Sequence, residues 1–350
     1  MLMKELLWSP LEVRGTILPN RVAVAPMASG SADDDGAPTE TGLELYRKFA
    51  ASQAGMVVLE HHAVRRDGYV RRGQYSLHGE ASLKKHAPLG EIFRNAGVSS
   101  LVQINHAGSA VKDPELLQGG FIPLAPSAVP HPNGDGVSIP REMTKDDCEE
   151  MRHAFVQAAL RGIRVGYTGV EVHACHGFLL GQFLSPLTNT RRDAYGGDVS
   201  GRSRLLRDIV AALREELGEA LLSVRLGVAD ELGEKPRGLA FEDVLWIGKE
   251  LASLGVDIIS VSGNFCGFDA PRSAPWAPYA GAIQQRVGNT PVLCTGNIRS
   301  LEEAESLLER GCCTLIGIGR PFVQNPNLLA SWGYAPCKGC AFCGGERDSE

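Results

Sequence analysis

Short apolar, β-branched runs recur along the chain, and each is followed by a stretch in which apolar residues return every three or four positions. The runs are 21–26, 56–60, 100–104, 169–172, 221–226, 257–261, 291–295 and 313–319. The intervening helical patterns cover 42–54, 82–96, 145–165, 202–216, 241–254, 277–287 and 300–310, with a short helix after Pro321. The runs are short and carry apolar residues on both faces, as buried parallel strands do. Strict strand–helix alternation predicts an α/β fold, and eight repeats of the unit predict a closed (β/α)8 TIM barrel. Thr144 precedes "KDDCEE", so the third helix should start with a hydroxyl cap and acids at the positive end of its dipole. Residues 107–143, with Gly119, Gly120 and several prolines, read as a long loop covering the barrel mouth.

Composition narrows this little. The 350 residues are 43% hydrophobic, enough for one large core. A net charge of -6 argues against nucleic acid as the main partner. The arginine pairs Arg65-Arg66 and Arg71-Arg72 read as solvated surface. No apolar run reaches the roughly 18–20 residues that span a bilayer, so no membrane partner is expected. The start "MLMKELLWSPLEVRG" does not read as a signal peptide. An odd number of cysteines, nine, then implies reduced thiols and a cytoplasmic protein.

Candidate chemistry lies after the strands, because a barrel of this kind works at the C-terminal ends of its strands. Pro26, Met27, Ala28 and Ser29 follow the first run, and Glu60, His61 and His62 the second. Gln103, Asn105 and His106 close the third, His173 and His176 follow the fourth, and Arg225 ends the fifth. Ser262 to Asn264 follow the sixth, Gly296 and Asn297 the seventh, and Gly317 to Arg320 end the eighth. Glycines after the last two strands, with Arg320 beside them, suggest a phosphate site. His173 and His176 fit three readings: metal ligands, core residues, or paired N–H donors meeting on one substrate oxygen.

The run "VEVHACHGFLLGQFLSPLTNTRRDAYGG" (170–197) resembles the signature of the old yellow enzyme family of FMN-dependent oxidoreductases. "NRVAVAPM" (20–27), "VQINHAG" (102–108), "APSA" (125–128), "VRLG" (224–227), "TGNI" (295–298) and "IGRPF" (318–322) match in family order. The resemblance implies an FMN-binding barrel over 1–335 and a short tail over 336–350. It implies that Pro26, Met27 and Ala28 pass beneath the flavin, that Gln103 meets its pyrimidine edge and that Arg225 lies near its anionic side. Gly296, Asn297, Gly319 and Arg320 would hold the phosphate. His173 and His176 would grip a substrate oxygen while a conjugated C=C bond takes a hydride, with NAD(P)H as cosubstrate. An enone-like carbonyl compound is the implied partner, and a homo-oligomer or an electron-transfer partner is a further expectation. The alternatives are an oxidative flavin dehydrogenase or demethylase, and a non-catalytic barrel.

Three departures from the family pattern matter. Phe178 stands two residues after His176, where the family usually has a proton-donating tyrosine, and phenylalanine has no proton to give. Either another donor serves, with Tyr46, Tyr69, Tyr75, Tyr279 and Cys175 as candidates, or water does, or the reaction needs no proton there. Ala28 replaces a cysteine or threonine found in some relatives, which argues against a covalently held flavin. Larger relatives carry a four-cysteine iron–sulfur site past the barrel; here Cys337, Cys340 and Cys343 leave an iron–sulfur cluster, zinc and no metal as open readings.

Overall fold

The computed structural model describes residues 6–331 apart from 112–116, 118–119, 134–138, 231–237, 267–272 and 299. Cys337, Cys340 and Cys343, and the boundary expected at 335, lie outside the described residues. The apolar runs form eight parallel strands: β1 (Val22–Val24), β2 (Met56–Ala63), β3 (Ser99–Asn105), β4 (Gly169–Ala174), β5 (Leu221–Gly227), β6 (Ile258–Ser262), β7 (Val292–Thr295) and β8 (Leu315–Ile318). They close in sequence order, with β8 beside β1. The helices outside them are α1 (Glu40–Ala50), α2 (Ala81–Ala96), α3 (Lys145–Val165), α4 (Arg204–Leu217), α5 (Phe241–Ser253), α6 (Ala277–Gln284), α7 (Leu301–Glu309) and α8 (Arg320–Gln324). The expected (β/α)8 barrel is therefore the fold.

Alternation along each strand sorts the core. On β3, Val102 and Ile104 pack outward with α3 residues such as Phe155 and Ala158. Leu101 points inward, into a separate cluster with Met56, Val58, Leu221, Ile258, Leu293 and Leu315. Val13 and Leu18, from an N-terminal hairpin (Leu11–Val13 with Thr16–Leu18), join that cluster and plug the barrel floor. Burying each of these two side chains stabilises the plug by about 1.5–3 kcal/mol.

α3 begins as expected. Thr144 accepts from the Asp147 backbone N–H at 3.1 Å, and Asp147 accepts from the Thr144 N–H at 2.7 Å, forming a capping box. Above the barrel, the described part of 107–143 contributes a short parallel pair, Leu124–Ala125 with Arg141–Glu142. Leu117 and Phe121 from the same segment pack with Val70, Ala107, Val111 and Phe178.

Strands β2 to β6 end later than the apolar runs indicate. β2 continues through His61 and His62 to Ala63, with a register shift between Leu59 and His62. Asn105 is the last residue of β3, His173 lies inside β4, and Arg225 is two residues short of the end of β5. The reason is shared. Near the mouth, inward positions carry polar side chains, which break an apolar run without breaking the backbone ladder.

Candidate active site

Inward polar side chains form layers across β3, β4 and β5. Gln103, Glu171 and Ser223 are register partners. Gln103 donates its amide to Glu171 at 2.8 Å, and Ser223 donates its hydroxyl to the other carboxylate oxygen at 2.9 Å. Glu171 is fully buried; burial pushes its carboxyl up, against the pull of the Arg225 guanidinium.

One layer higher, His173 is the register partner of Arg225. β4 ends at Ala174, and the turn beyond it holds His176 at φ 59° and Gly177 at φ 70°. That turn folds the second imidazole back, so His176 Nδ1 lies 3.1 Å from His173 Nε2. Ser262, at the end of β6, lies 2.8 Å from His176 Nε2 and 3.4 Å from Arg225 Nη2. A guanidinium only donates, so Ser262 Oγ accepts from Arg225 and its own hydrogen is free for His176 Nε2. With the Ser262 hydrogen on His176 Nε2, the His176 proton sits on Nδ1, facing His173. Burial, together with the neighbouring Arg225 charge, holds both histidines well below their ordinary range, so both are neutral.

Cys175 brings a third candidate metal ligand within 4.8 Å of the two imidazoles. Its thiol is fully buried and pushed far up by that burial, which disfavours the thiolate a metal needs. Donor geometry therefore suits the pair better than metal ligation.

His61 and His62 diverge because they are strand neighbours. His62 turns outward and is fully buried, stacked on Tyr75 at 5.1 Å and beside His86 at 5.2 Å. His62 is a core residue and does not face the barrel mouth. His61 turns inward and remains half-buried, 6.0 Å from the His173 ring and 5.4 Å from Phe178.

The other predicted residues sit on the neighbouring side of the mouth. Pro26, Met27 and Ala28 follow β1, Gly296 and Asn297 follow β7, and Gly319 and Arg320 follow β8. β7, β8 and β1 are consecutive, so these loops are neighbours. Gly296 has φ 127° and no room for a side chain: a Cβ there would lie 2.6 Å from Trp276 Cδ1. A Cβ on Gly319 would lie 3.2 Å from Met27 Sδ. Asn297 has φ 47°, and its carbonyl accepts from Ser273 Oγ at 2.7 Å.

Several supporting residues were not assigned a role from sequence. Glu60 is buried at the mouth end of β2, accepts the Ser29 N–H at 2.8 Å and the Ser29 hydroxyl, and is pushed up to about 7 by burial. Arg71, read as plain surface, donates to the Ala28 carbonyl at 3.2 Å. For Glu60 and Glu171 a signal existed: each is a carboxylate inside an apolar strand run, a residue type rarely buried without partners.

The sequence pattern of the NADH:flavin oxidoreductase / NADH oxidase family matches residues 6–332. The chain is 32% identical over 340 residues to the NADPH dehydrogenase of Geobacillus sp. (strain WCH70), covering 96% of this chain and 95% of that one. It superposes on 2-naphthoyl-CoA reductase in complex with 2-naphthoyl-CoA at TM-score 0.89 and 26% identity, covering 97% of this chain but only 54% of that larger protein. It also superposes on the old yellow enzyme homologue of Zymomonas mobilis at TM-score 0.81 and 25% identity, over 94% of this chain and 91% of that one. Among the described residues no helix is long and apolar enough to cross a membrane. An eight-stranded barrel with polar layers at its mouth, matched end to end by these flavin enzymes, belongs to the NADH:flavin oxidoreductase / NADH oxidase family, and the chain is an NAD(P)H:flavin oxidoreductase of the old yellow enzyme kind.

Proposed function

We propose that the protein reduces the activated C=C bond of an enone-like conjugated carbonyl compound with NAD(P)H. The observation that carries this reading is the 3.1 Å approach of His173 Nε2 and His176 Nδ1 beside Arg225 at the barrel mouth.

The mouth fits FMN on its own chemistry. Arg225 is buried, and among the described residues its Nε has no hydrogen-bond partner, which leaves a donor ready for an anionic flavin edge. Gln103, fixed by Glu171, supplies an oriented amide. Gly296, Asn297, Gly319 and Arg320 would take the phosphate, and Pro26, Met27 and Ala28 would floor the ring. Bound there, FMN supplies the hydride chemistry.

The residues of the chain hold and polarise the substrate. A carbonyl oxygen entering between the imidazoles replaces His173 Nε2 as acceptor of the His176 Nδ1–H. His173, in its Nε2-protonated form, gives the second donor. Both rings are neutral, so they donate hydrogen bonds without protonating the oxygen. Two such donors lower the barrier by roughly 2.7–4 kcal/mol each. A Ser262 hydroxyl that accepts from Arg225 and donates to His176 Nε2 supports the tautomer that this requires.

The test is a double variant, His173→Ala with His176→Ala, titrated with 4-hydroxybenzaldehyde. The expected result is loss of phenol binding with FMN retained. Unchanged phenol binding would rule the pair out as the oxygen grip.

Phe178 supports a second reading, an oxidative flavin dehydrogenase with a partner acceptor. Anaerobic stopped-flow separates the two: rapid flavin reduction by NADPH favours the reductase, and poor reduction favours the dehydrogenase. For Cys337, Cys340 and Cys343 the readings are no metal, an iron–sulfur cluster or zinc, which iron and zinc content of the purified protein would separate.

A further inference from the structure

We propose that His61 is the proton donor to the substrate α-carbon, in the role left vacant by Phe178. This rests on the enone-reductase reading above.

Phe178 packs 4.9 Å from His173 and 5.4 Å from His61, its ring inclined 31° to that of His61. The alternatives considered from sequence are placed elsewhere or engaged. Tyr46 is buried and donates to Glu60 at 3.3 Å; Tyr75 is buried and bonded to Ser31 at 2.9 Å. Tyr69 packs by His78, and Tyr279 packs against Phe241 and Trp276. Cys175 is fully buried behind His173. His61 is half-buried and faces the imidazole pair.

The protonation state of His61 is set by its neighbours. The Val70 backbone N–H donates to Gln74 Oε1 at 2.7 Å, which fixes that amide's direction. Gln74 Nε2 must then face the His61 carbonyl, at 3.4 Å, and His61 Nδ1, at 2.9 Å. An amide nitrogen only donates, so Nδ1 is an acceptor. Asn105 Nδ2, at 3.3 Å, adds a second donor to the same nitrogen. The single proton of the neutral ring is therefore on Nε2. Among the described residues Nε2 has no hydrogen-bond partner.

The step balances within the site. As a hydride reaches the β-carbon, the enolate held by His173 and His176 gains negative charge. A C–H bond forms at the α-carbon while the His61 Nε2–H bond breaks, and the electron pair stays on Nε2. The resulting imidazolate is stabilised by the two amide donors at Nδ1 and by the Arg71 and Arg225 charges. Burial, helped by those charges, pushes His61 down to about 3, so the neutral ring is the species present. Water then returns a proton to Nε2.

Two measurements test this. Long-range proton–nitrogen NMR on holoenzyme with 15N-labelled histidine reads the tautomer directly, with Nε2–H expected; an Nδ1–H tautomer would overturn the proposal. Stopped-flow oxidation of the reduced enzyme by 2-methylcyclohexenone, which needs α-protonation, is then compared with oxidation by menadione, which does not. In His61→Ala the enone-to-menadione rate ratio should fall by about a hundredfold or more. His61→Gln, which keeps a polar group against Gln74, should show the same fall. A ratio unchanged in both variants would reduce His61 to a structural residue. Binding of 4-hydroxybenzaldehyde by the wild type depends on His173 and His176 alone, so its absence would indict the oxygen grip and not His61.

Discussion

Glu171 accepts the Gln103 side-chain amide at 2.8 Å inside the barrel, with Ser223 on its second oxygen at 2.9 Å. A carboxylate only accepts, so this contact fixes which end of the Gln103 amide points away from Glu171. In the proposed cofactor site that free end meets the flavin.

Glu171→Gln should therefore loosen the flavin without unfolding the barrel. The two amides could then pair in either direction, and the orientation of Gln103 would no longer be unique. FMN affinity is expected to fall about tenfold, the equivalent of roughly 1.4 kcal/mol, within the range of one positioned hydrogen bond. Fluorescence titration of apoprotein with FMN measures it. Equal affinity for wild type and variant would mean that Gln103 does not need Glu171 to hold it.

Gly296 offers a second test, from backbone geometry. Its φ of 127° lies where an L side chain is strained, and a Cβ would lie 2.6 Å from Trp276 Cδ1 and 2.8 Å from its Nε1. Trp276 is itself buried, so it has little room to yield. Gly296→Ala should cost about 1–3 kcal/mol in unfolding free energy. The change lies in the loop assigned to phosphate, so FMN affinity should fall more than affinity for riboflavin, which lacks that group. If both ligands weaken equally, the loop does not hold the phosphate.

The architecture was legible because each barrel strand is covered by helices on one face and filled on the other. Continuous apolar runs such as "SLVQI" and "LLSVRL" follow directly from that burial. Strand ends were less legible: β2 runs on through His61 and His62, and β4 through His173, past the ends of their apolar runs. The histidine pair was legible through the turn sequence that follows β4. Its partners were less so. Ser262 reaches His176 across 86 positions, and Gln74 reaches His61 through a loop whose only local signal is turn chemistry. Contacts of that kind come from barrel closure, which no periodicity encodes.

A third prediction concerns acid stability. His86 is fully buried on α2 and donates through Nε2 to the Gly36 carbonyl at 3.1 Å. Burial pushes it down to about 4, against a smaller opposing pull from the Gly36 carbonyl. Between pH 6.5 and pH 4 the unfolded chain takes up a proton that the folded site refuses. The stability His86 contributes is thus complete above pH 6.5 and is lost as pH falls. Each pH unit in that window removes about 1.4 kcal/mol, so roughly 2 kcal/mol is gone by pH 5. His86→Gln keeps a donor for Gly36 and has nothing to titrate. Urea unfolding of wild type and variant at pH 7 and pH 5 should show their stability difference shift by about 2 kcal/mol in favour of the variant. His61, His173 and His176 are held down in the same way, but they are common to both proteins and cancel in the difference. A difference that stays constant between the two pH values would mean that His86 is as easily protonated in the fold as in the unfolded chain.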